Sequence, residues 1–308
     1  MQRRFRIGTR GSKLALVQAH MVAAELAKAL GAPVEDVSEI VIFKTQGDIV
    51  LDRNLSEIGG KGLFTAELEE ALHNGGIDLA VHSMKDMPTV LPDGLLIDCI
   101  LEREDPRDAF LSSKGASLAE LPKNAIVGTS SLRRGAQVLA KRPDVTIVPF
   151  RGNVQTRLKK LADGVADATM LAMAGLTRLD LIAEATAPLS PDEMLPAVAQ
   201  GAIGVERRAG DEEAAKLLAT FHHAESGLRI DAERAMLKVL DGSCRTPIAA
   251  LAEISGKRIS LRGMILTPDG KEVLETSRDG LAKDAIAMGI DAGEELKSRA
   301  GPQFFTES

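Results

Sequence analysis

The sequence predicts an α/β fold followed by a smaller α+β domain. Short apolar runs with β character alternate with longer helical patterns over the first two thirds of the chain, which is typical of βαβ units and a mostly parallel sheet. The alternation restarts after a charged, proline-containing segment at 102–108, which we interpret as a hinge. From about Phe221 the pattern changes to a helix, three successive strands and a last helix. These observations predict a separate carboxyl-terminal domain.

The elements of the two α/β runs follow from the spacing of their apolar residues. In the first run we expect strands at 5–9, 40–44, 79–82 and 95–101 and helices at 13–30 and 65–73. In the second we expect strands at 125–128, 145–150 and 167–172 and helices from 131 and near 154–163. Prolines at 188, 191 and 196 mark another break, after which a strand at 203–206 is predicted to return to the first sheet.

The carboxyl-terminal region predicts a meander between two helices. Its expected elements are a helix at 226–240, strands at 249–254, 258–266 and 272–277, and a helix at 282–299. The turn residues Pro268-Asp269-Gly270 separate the last two strands.

The composition is that of an ordinary globular protein. The chain has 308 residues, 44% hydrophobic and 27% charged, with a net charge of −6 and neither Trp nor Tyr. Nucleic-acid binding is disfavoured because it normally needs a basic surface and aromatic stacking. Only two cysteines are present and no apolar window is long enough to span a membrane, so we expect a cytoplasmic, reducing environment and no membrane association.

The most distinctive stretch is an apolar strand that ends in a polar cluster, running from Asp78 to Pro88. Loops at strand ends are where α/β proteins place their chemistry. Lys85 and Asp86 stand side by side there, and a carboxylate in that position can stabilise a developing cation or move protons. A surface ion pair or a turn-capping aspartate is the alternative.

Arginines follow several of the predicted strands. Guanidinium groups bind carboxylates through two hydrogen bonds, and the helix starts near Thr9 and at 129–131 add free N–H groups for anions. The candidate anion-binding residues are Arg10, Ser12, Arg133, Arg134, Arg151, Arg157 and Arg178. One strand-end carboxylate among many arginines favours an enzyme acting on a polyanionic small molecule. The alternative is that the serines are ordinary helix caps and the arginines are solvated.

Two further features bear on the chemistry. Cys244 lies in a loop flanked by Gly242 and Pro247, where a thiol near cations can be a good nucleophile; an incidental free thiol is the alternative. Cys99 lies in an apolar strand and is expected to be inert core.

The glycine-rich stretch around Lys61 does not match a phosphate-binding loop, and we interpret 46–60 before it as a flap. Adjacent His222 and His223 point about 100° apart on a helix and are not expected to share a metal.

Several motifs together identify a resemblance to the porphobilinogen deaminase (hydroxymethylbilane synthase) family. They are Val81-His82-Ser83-Met84-Lys85-Asp86, Gly128-Thr129-Ser130-Ser131-Leu132-Arg133-Arg134, Arg151-Gly152-Asn153 with Thr156-Arg157, Pro196-Ala197-Val198-Ala199-Gln200-Gly201, and Gly242-Ser243-Cys244. The similarity runs in order from about Arg6 to the last helix. The cofactor loop departs from many relatives, which have a second glycine where this chain has Ser243.

The resemblance implies a three-domain α/β protein and a substrate. Domain 1 would comprise 1–101 and 201–219, domain 2 would be 102–200, and domain 3 would be 220–308. The first two would resemble the halves of a type II periplasmic binding protein, with mixed, mostly parallel sheets and the active cleft between them. The third would be a small α+β domain with a three-stranded antiparallel sheet. The partner would be the small molecule porphobilinogen, without nucleic acid or membrane, and the protein would be a monomer.

The resemblance also implies roles for individual residues. Asp86 matches the catalytic aspartate, and Cys244 matches the cysteine that carries a dipyrromethane cofactor through a thioether. The positions matching cofactor contacts are Cys244, Lys85, Ser83, Thr129, Ser131, Arg133, Arg134 and Asp86. The positions matching substrate contacts are Arg10, Ser12, Arg151, Arg157, Arg178, Gln200 and the flap residue Lys61. No metal is implied. Four porphobilinogen units would be added head to tail with loss of ammonia, and hydrolysis would release the linear tetrapyrrole.

Two other functions remain open at this point. A non-catalytic anion-binding protein would use the same arginines but would need neither Asp86 nor Cys244. A phosphate-handling transferase would normally show a phosphate loop or metal-binding carboxylates near the glycines.

Overall fold

The computed structural model describes residues 3–45, 65–240, 246–301 and 304. The interpreted flap at 46–60, together with Lys61 and Cys244, lies outside these residues. The described chain divides into two compact units. The first contains 3–45, 65–104 and 202–227, and the second contains the rest. The three-domain division inferred above stays a prediction.

The first unit is a five-stranded sheet with helices on both faces. Its elements are β1 (Phe5–Arg10), α1 (Lys13–Leu30), α2 (Val34–Val37), β2 (Ser38–Phe43), α3 (Ala66–His73), β3 (Leu79–Ser83), β4 (Leu95–Ile100), β10 (Ile203–Arg208) and α7 (Glu212–Ala219). The strand order is β2-β1-β3-β10-β4. The predicted return of the chain to this sheet is confirmed, because β10 pairs antiparallel with both β3 and β4.

Two hydrophobic clusters hold the first unit together. On one face α1 contributes Val22 and Leu26 against Ile7 and Val81 of the sheet. On the other face α3 packs its apolar side against β2, β3 and β4. The residues of α1 that are buried against the sheet recur at the 3.6-residue spacing that predicted this helix.

An ion-pair network secures the amino-terminal end of this sheet. Asp78, just before β3, accepts hydrogen bonds from Arg3, Arg6 and Arg208 at 3.0–3.3 Å. Asp211 binds the same Arg3 guanidinium at 2.7 Å. Because parallel strands begin at this edge, the network lies at the opposite end of the sheet from the strand-end loops.

The second unit begins with another five-stranded sheet. Its elements are β5 (Asp108–Ser112), β6 (Ile126–Gly128), α4 (Leu132–Lys141), β7 (Thr146–Val148), α5 (Val154–Ala162), β8 (Ala168–Ala172), α6 (Met173–Arg178) and β9 (Ala187–Pro188). The strand order is β7-β6-β8-β5-β9. Phe110, Val127 and Met170 form its core with Val138 of α4.

Each of these sheets is evenly mixed. β1 pairs parallel with β2 and β3, whereas β10 supplies two antiparallel pairings. In the second sheet β6 pairs parallel with β7 and β8, whereas β5 supplies two antiparallel pairings. The mixed character agrees with the prediction, but the expected parallel majority is absent.

The carboxyl-terminal part contains the predicted antiparallel meander. Its elements are α8 (Ala224–Val239), β11 (Ile248–Ser255), β12 (Arg258–Leu266), β13 (Val273–Leu281) and α9 (Ala285–Ala300). The order β11-β12-β13 confirms the three-stranded antiparallel sheet. At the outer edge of β13, the carbonyl oxygens of Glu275 and Ser277 accept hydrogen bonds from the guanidinium groups of Arg299 and Arg278 at 2.7 and 2.9 Å.

Candidate active site

Lys85 and Asp86 follow the end of strand β3 and are exposed to solvent. After Ser83 the chain turns through a short 3₁₀ helix, Met84–Asp86. Met84 and Met87 are buried on either side of the two exposed polar residues, and the Met84 N–H donates to the carbonyl of Ala202 at 3.0 Å. The methionines therefore anchor the turn, and the acid and the cation project outward.

A glycine on the neighbouring strand makes room for this anchor. A Cβ atom on Gly204 would lie 2.2 Å from the sulfur of Met84, which is far inside van der Waals contact. Glycine is therefore required on β10 for Met84 to fill its place beneath the turn.

Ser83 is held by a residue that the sequence did not single out. Gln18, buried on α1, donates from Nε2 to Ser83 Oγ at 2.9 Å, and the Ser83 hydroxyl lies 3.1 Å from Gln18 Oε1. The amide thus fixes the rotamer of the hydroxyl next to the Lys85–Asp86 pair. No motif signals Gln18, because its role depends on α1 packing beside β3.

Arg10 and Ser12 lie at the same edge of the first sheet as Asp86. β1 is parallel to β3, with Gly8 opposite Ala80, so the carboxyl ends of both strands are at one edge. Ser12 caps α1 by accepting from the Ala15 N–H at 3.2 Å. The first unit therefore gathers Arg10, Ser12, Ser83, Lys85 and Asp86 at one end.

In the second unit the loops after β6 and β7 are tied together. The Ser130 hydroxyl accepts from the Phe150 N–H at 2.8 Å, and the Thr129 N–H donates to the Val148 carbonyl at 3.0 Å. Ser131 is the N-cap of α4, and its hydroxyl accepts from the Arg134 N–H at 3.4 Å. Thr129 and Ser131 therefore lie at a helix N-terminus, where N–H groups and the helix dipole favour an anion.

Arg133 and Arg134 share one buried carboxylate. Asp108 is fully buried at the start of β5. Its carboxylate accepts a hydrogen bond from Nη2 of Arg133 and another from Nη2 of Arg134, each at 2.7 Å. Arg134 Nε also donates to Asp108, at 3.2 Å. The Nη1 groups donate to carbonyl oxygens: Arg133 Nη1 to Leu195 at 2.7 Å and Arg134 Nη1 to Met170 at 2.9 Å. Both side chains are thus part of a buried network with a net positive charge in the first turn of α4.

The electrostatics of this network follow from burial and pairing. Burial by itself raises the pKa of Asp108, but the adjacent charges of Arg133 and Arg134 outweigh it and hold that pKa well below its ordinary value. Burial lowers the pKa of Arg133, and the charge of Asp108 opposes that shift. Asp108 is therefore ionised throughout the physiological range.

Gln200 joins the same network. It is buried, and its Nε2 donates to Asp108 Oδ1 at 2.9 Å and to the carbonyl of Pro106 at 2.8 Å. Arg178, at the end of α6, donates from Nη2 to the carbonyl of Gly201 at 2.7 Å. Asp108 thus links Arg133, Arg134 and Gln200, three residues that the sequence singled out. In the sequence analysis Asp108 itself was assigned to the hinge at 102–108. Its one sequence signal is a carboxylate directly before an apolar run.

Arg151 and Arg157 lie on either side of the turn into α5. The Arg157 Nε–H donates to the carbonyl of Gly152 at 2.8 Å, and Lys160 Nζ donates to the carbonyl of Arg151 at 3.0 Å. Both arginines are partly exposed. They lie at the same edge of the second sheet as Thr129 and Ser131, since β6 and β7 are parallel.

The described residues include one cysteine, Cys99, which confirms the expectation of an inert core position. It is fully buried, and burial raises the pKa of its thiol to about 12. Within the described ranges no group of three His, Cys, Asp or Glu side chains is arranged to hold a metal ion. Nor does any helix of the described chain have the length and apolar character needed to cross a membrane.

Two family models match almost the whole chain. One, described as the dipyromethane cofactor binding domain of porphobilinogen deaminase, matches residues 5–216, and the other, described as the carboxyl-terminal domain of the same protein, matches residues 228–298. The chain belongs to the porphobilinogen deaminase family. Members of this family are hydroxymethylbilane synthases, and the first matched domain is the one that binds dipyrromethane.

Named relatives of the porphobilinogen deaminase family align over nearly the full length. The porphobilinogen deaminase of Paracoccus denitrificans (strain Pd 1222) is 61% identical over 304 residues, covering 99% of this chain and 97% of the relative. The chloroplastic porphobilinogen deaminase of Pisum sativum is 55% identical over 305 residues, covering 97% and 83%. Among solved structures, the arginine-specific periplasmic binding protein STM4351 of Salmonella typhimurium is 13% identical, with a TM-score of 0.42 over 73% of this chain and 94% of that one.

The residues present fit the dipyrromethane of the porphobilinogen deaminase family. Two pyrrole rings that each carry an acetate and a propionate need several cationic and hydroxyl donors. Within the second unit, Thr129 and Ser131 at the start of α4 are such donors. In addition, the Nε–H of Arg133 is buried and makes no hydrogen bond within the described part of the chain, which leaves one donor of the buried network unsatisfied.

Proposed function

We propose that the chain joins four porphobilinogen molecules head to tail, with loss of ammonia at each step, onto a dipyrromethane carried by Cys244, and then releases hydroxymethylbilane by hydrolysis. The observation that carries this proposal is the placement of Asp86. An exposed carboxylate stands beside Lys85 at the end of β3, in a chain matched by the family models from residue 5 to residue 298.

Binding in this proposal depends on carboxylate recognition. The side chains that hold the dipyrromethane are Cys244, Lys85, Ser83, Thr129, Ser131, Arg133, Arg134 and Asp86. Those that hold the incoming and growing substrate are Arg10, Ser12, Arg151, Arg157, Arg178, Gln200 and Lys61. Partly exposed Arg151 and Arg157 are able to form bidentate pairs with carboxylates. Arg133 and Arg134 act mainly through the net charge of their buried network with Asp108, since most of their donors are already bonded.

Asp86 supplies the electrostatic part of the chemistry. When the aminomethyl C–N bond of porphobilinogen breaks, ammonia leaves with the electron pair and a positive charge stays on the substrate methylene and its ring. A carboxylate at hydrogen-bonding range lowers the energy of that cation. When bound, the dipyrromethane supplies the free pyrrole α-carbon at which the chain grows. Asp86 also accepts the proton that the α-carbon must lose to restore aromaticity.

Three finer features belong to the same proposal. The protein acts as a cytoplasmic monomer, and its chain forms three domains. The gap between the family-model matches, from residue 216 to residue 228, supports a separate carboxyl-terminal domain. The presence of only two cysteines in the sequence supports a reducing compartment.

The proposal is tested by the intact mass of the purified protein. We expect an added mass equal to two condensed porphobilinogen units, absent from Cys244→Ser and retained in Cys99→Ala as the matched control. Protein that is purified without the addition should acquire it on incubation with porphobilinogen. A wild-type chain that neither carries nor acquires the addition, and releases no ammonia from porphobilinogen, would show the proposal to be wrong.

A further inference from the structure

The turn that carries Arg151 is held by hydrogen bonds to its backbone. The Phe150 N–H is bound by the Ser130 hydroxyl at 2.8 Å. The two carbonyl groups that follow are bound by side chains of α5: that of Arg151 by Lys160 and that of Gly152 by Arg157. The segment 150–152 is thus fixed at three consecutive residues.

Lys160 is the residue that fixes Arg151 itself. Its Nζ lies 3.0 Å from the Arg151 carbonyl oxygen and 5.8 Å from the centroid of the Phe150 ring. Phe150 is fully buried. The Lys160 ammonium group therefore lies between the buried Phe150 ring and the backbone of Arg151. A hydrogen bond from a charged donor is stronger than one between neutral groups, and the aromatic face adds a cation–π contribution.

The neighbouring lysine shows a different arrangement. Lys159 is 74% exposed and bonds to Asp163, one turn further along the same helix, at 2.7 Å. Lys160 has no carboxylate within ion-pair distance among the described residues, and its bond is to the main chain. The adjacent lysines Lys159 and Lys160 on α5 therefore make different contacts, and they provide a matched pair for experiment.

We propose that Lys160 is a positioning residue for Arg151, which it holds in the orientation needed to bind a substrate carboxylate. This inference rests on the proposed function, in which Arg151 is one of the carboxylate-binding side chains. Fixing the Arg151 backbone before the substrate arrives removes part of the entropy cost of ordering its guanidinium group on binding. The effect is on binding, so it changes KM rather than kcat.

The experiment compares four variants with wild type: Lys160→Met, Lys159→Met, Arg151→Ala and the Lys160→Met/Arg151→Ala double variant. Methionine keeps the length of the side chain on Phe150 and removes the ammonium donor. We measure KM and kcat for porphobilinogen, the rate at which apo protein gains substrate mass on Cys244, and the melting temperature. Lys160→Arg, which keeps a cationic donor, serves as the rescue variant.

We expect Lys160→Met to raise KM about 5- to 10-fold, with kcat changed less than about twofold. Loading of the apo protein should slow by a similar factor. Lys159→Met should match wild type, and Lys160→Arg should recover most of the loss. In the Arg151→Ala background, Lys160→Met should have no further effect, because a residue that acts through Arg151 loses its influence when Arg151 is absent.

The alternatives give different results. If the two substitutions add independently, Lys160 binds substrate by itself and the positioning role is wrong. If Lys160→Met lowers the melting temperature and leaves KM unchanged, its role is structural and the inference is again overturned. A wild-type protein that neither loads nor consumes porphobilinogen overturns the proposed function, and this inference with it.

Discussion

At the residue scale, the clearest division is between side chains to which the proposed function gives contact with substrate and side chains that hold them in place. Asp86 and Lys85 project from a turn whose buried methionines do nothing but anchor it. Asp108 and Gln18 are buried, and their side chains form hydrogen bonds with other side chains of the site. The first group determines the chemistry, and the second determines its geometry.

Asp86→Asn is expected to reduce kcat by roughly two to four orders of magnitude while the fold is kept. The amide is nearly the same size but carries no charge to stabilise the substrate cation and cannot accept the proton. Steady-state ammonia release measures the loss, and intact mass measures whether Cys244 is still loaded. Asp93→Asn, an exposed position in the loop before β4, is the control. Turnover close to wild type in the Asp86 variant would refute the assignment.

Asp108→Asn is expected to destabilise the protein by roughly 3–5 kcal/mol. The substitution leaves two buried guanidinium groups, Arg133 and Arg134, without their shared counter-charge. Urea unfolding followed by circular dichroism measures the change in free energy. Asp163→Asn removes an exposed partner of Lys159 and should have almost no effect. Equal, small losses in both variants would mean that Asp108 is not the electrostatic centre of the second unit.

At the element scale, strongly periodic segments were predictable and short ones were not. The helix at Lys13–Leu30 and the strand at Arg258–Leu266 have the predicted bounds, since each repeats its apolar pattern several times. The strand Asp108–Ser112 was missed and its first residue was assigned to a hinge. It contains only three consecutive apolar residues behind a charged run, and its strand character comes from pairing with β8 and β9, which no local pattern encodes. Helices α2 and α6 escaped prediction because they are short, and α7 was also missed although α3, of the same length, was predicted.

Gly128→Ala should destabilise the second unit by about 1–3 kcal/mol. A Cβ atom there would lie 2.5 Å from the buried ring of Phe150, so β6 and the loop after β7 would have to separate. Gly135→Ala, in α4, is the matched control. Its Cβ would meet no atom closer than 3.8 Å, and alanine in a helix interior should stabilise by up to about 1 kcal/mol. Thermal and urea unfolding of both variants measures the change in the free energy of unfolding, which should fall in Gly128→Ala and rise in Gly135→Ala. Destabilisation by both substitutions would contradict the packing argument.

At the scale of the whole molecule, stability against acid should depend on Asp78. Burial would raise its pKa, but hydrogen bonds from Arg6 and Arg3 prevail and lower it from 3.8 to about 2. A lowered carboxylate pKa stabilises the folded state above the unfolded pKa, and the contribution disappears as pH falls towards the folded value. We expect about 2 kcal/mol to be lost between roughly pH 4 and pH 2 through this group.

Urea unfolding measured at several pH values tests this expectation. In Asp78→Asn the free energy of unfolding should be lower at neutral pH, and its decline between pH 4 and pH 2 should be shallower by the contribution of this one carboxyl. Asp93→Asn should follow the wild-type curve. Parallel curves for wild type and Asp78→Asn would show that the Arg3–Arg6–Asp78 network does not set the pKa of this group.

How much of the site could be predicted also depends on distance along the chain. Asp86, Arg10 and Arg151 each lie at or just after the carboxyl end of a strand, so a local pattern singled them out. Asp108 reaches Arg133 and Gln200 across 25 and 92 residues, and no local pattern reports such a contact. The sequence therefore did not single out Asp108, whereas exposed residues next to strand ends could be proposed from their local pattern.

The capped edge of β13 has a consequence beyond the single chain. An edge strand offers unpaired carbonyl groups to any extended segment of another molecule. Here the Glu275 and Ser277 carbonyls already receive guanidinium donors from Arg299 and Arg278. A foreign strand would have to displace both charged groups before its own amides could pair. This edge of the three-stranded sheet is thus protected from growing by cross-chain addition, the first step towards ordered aggregates.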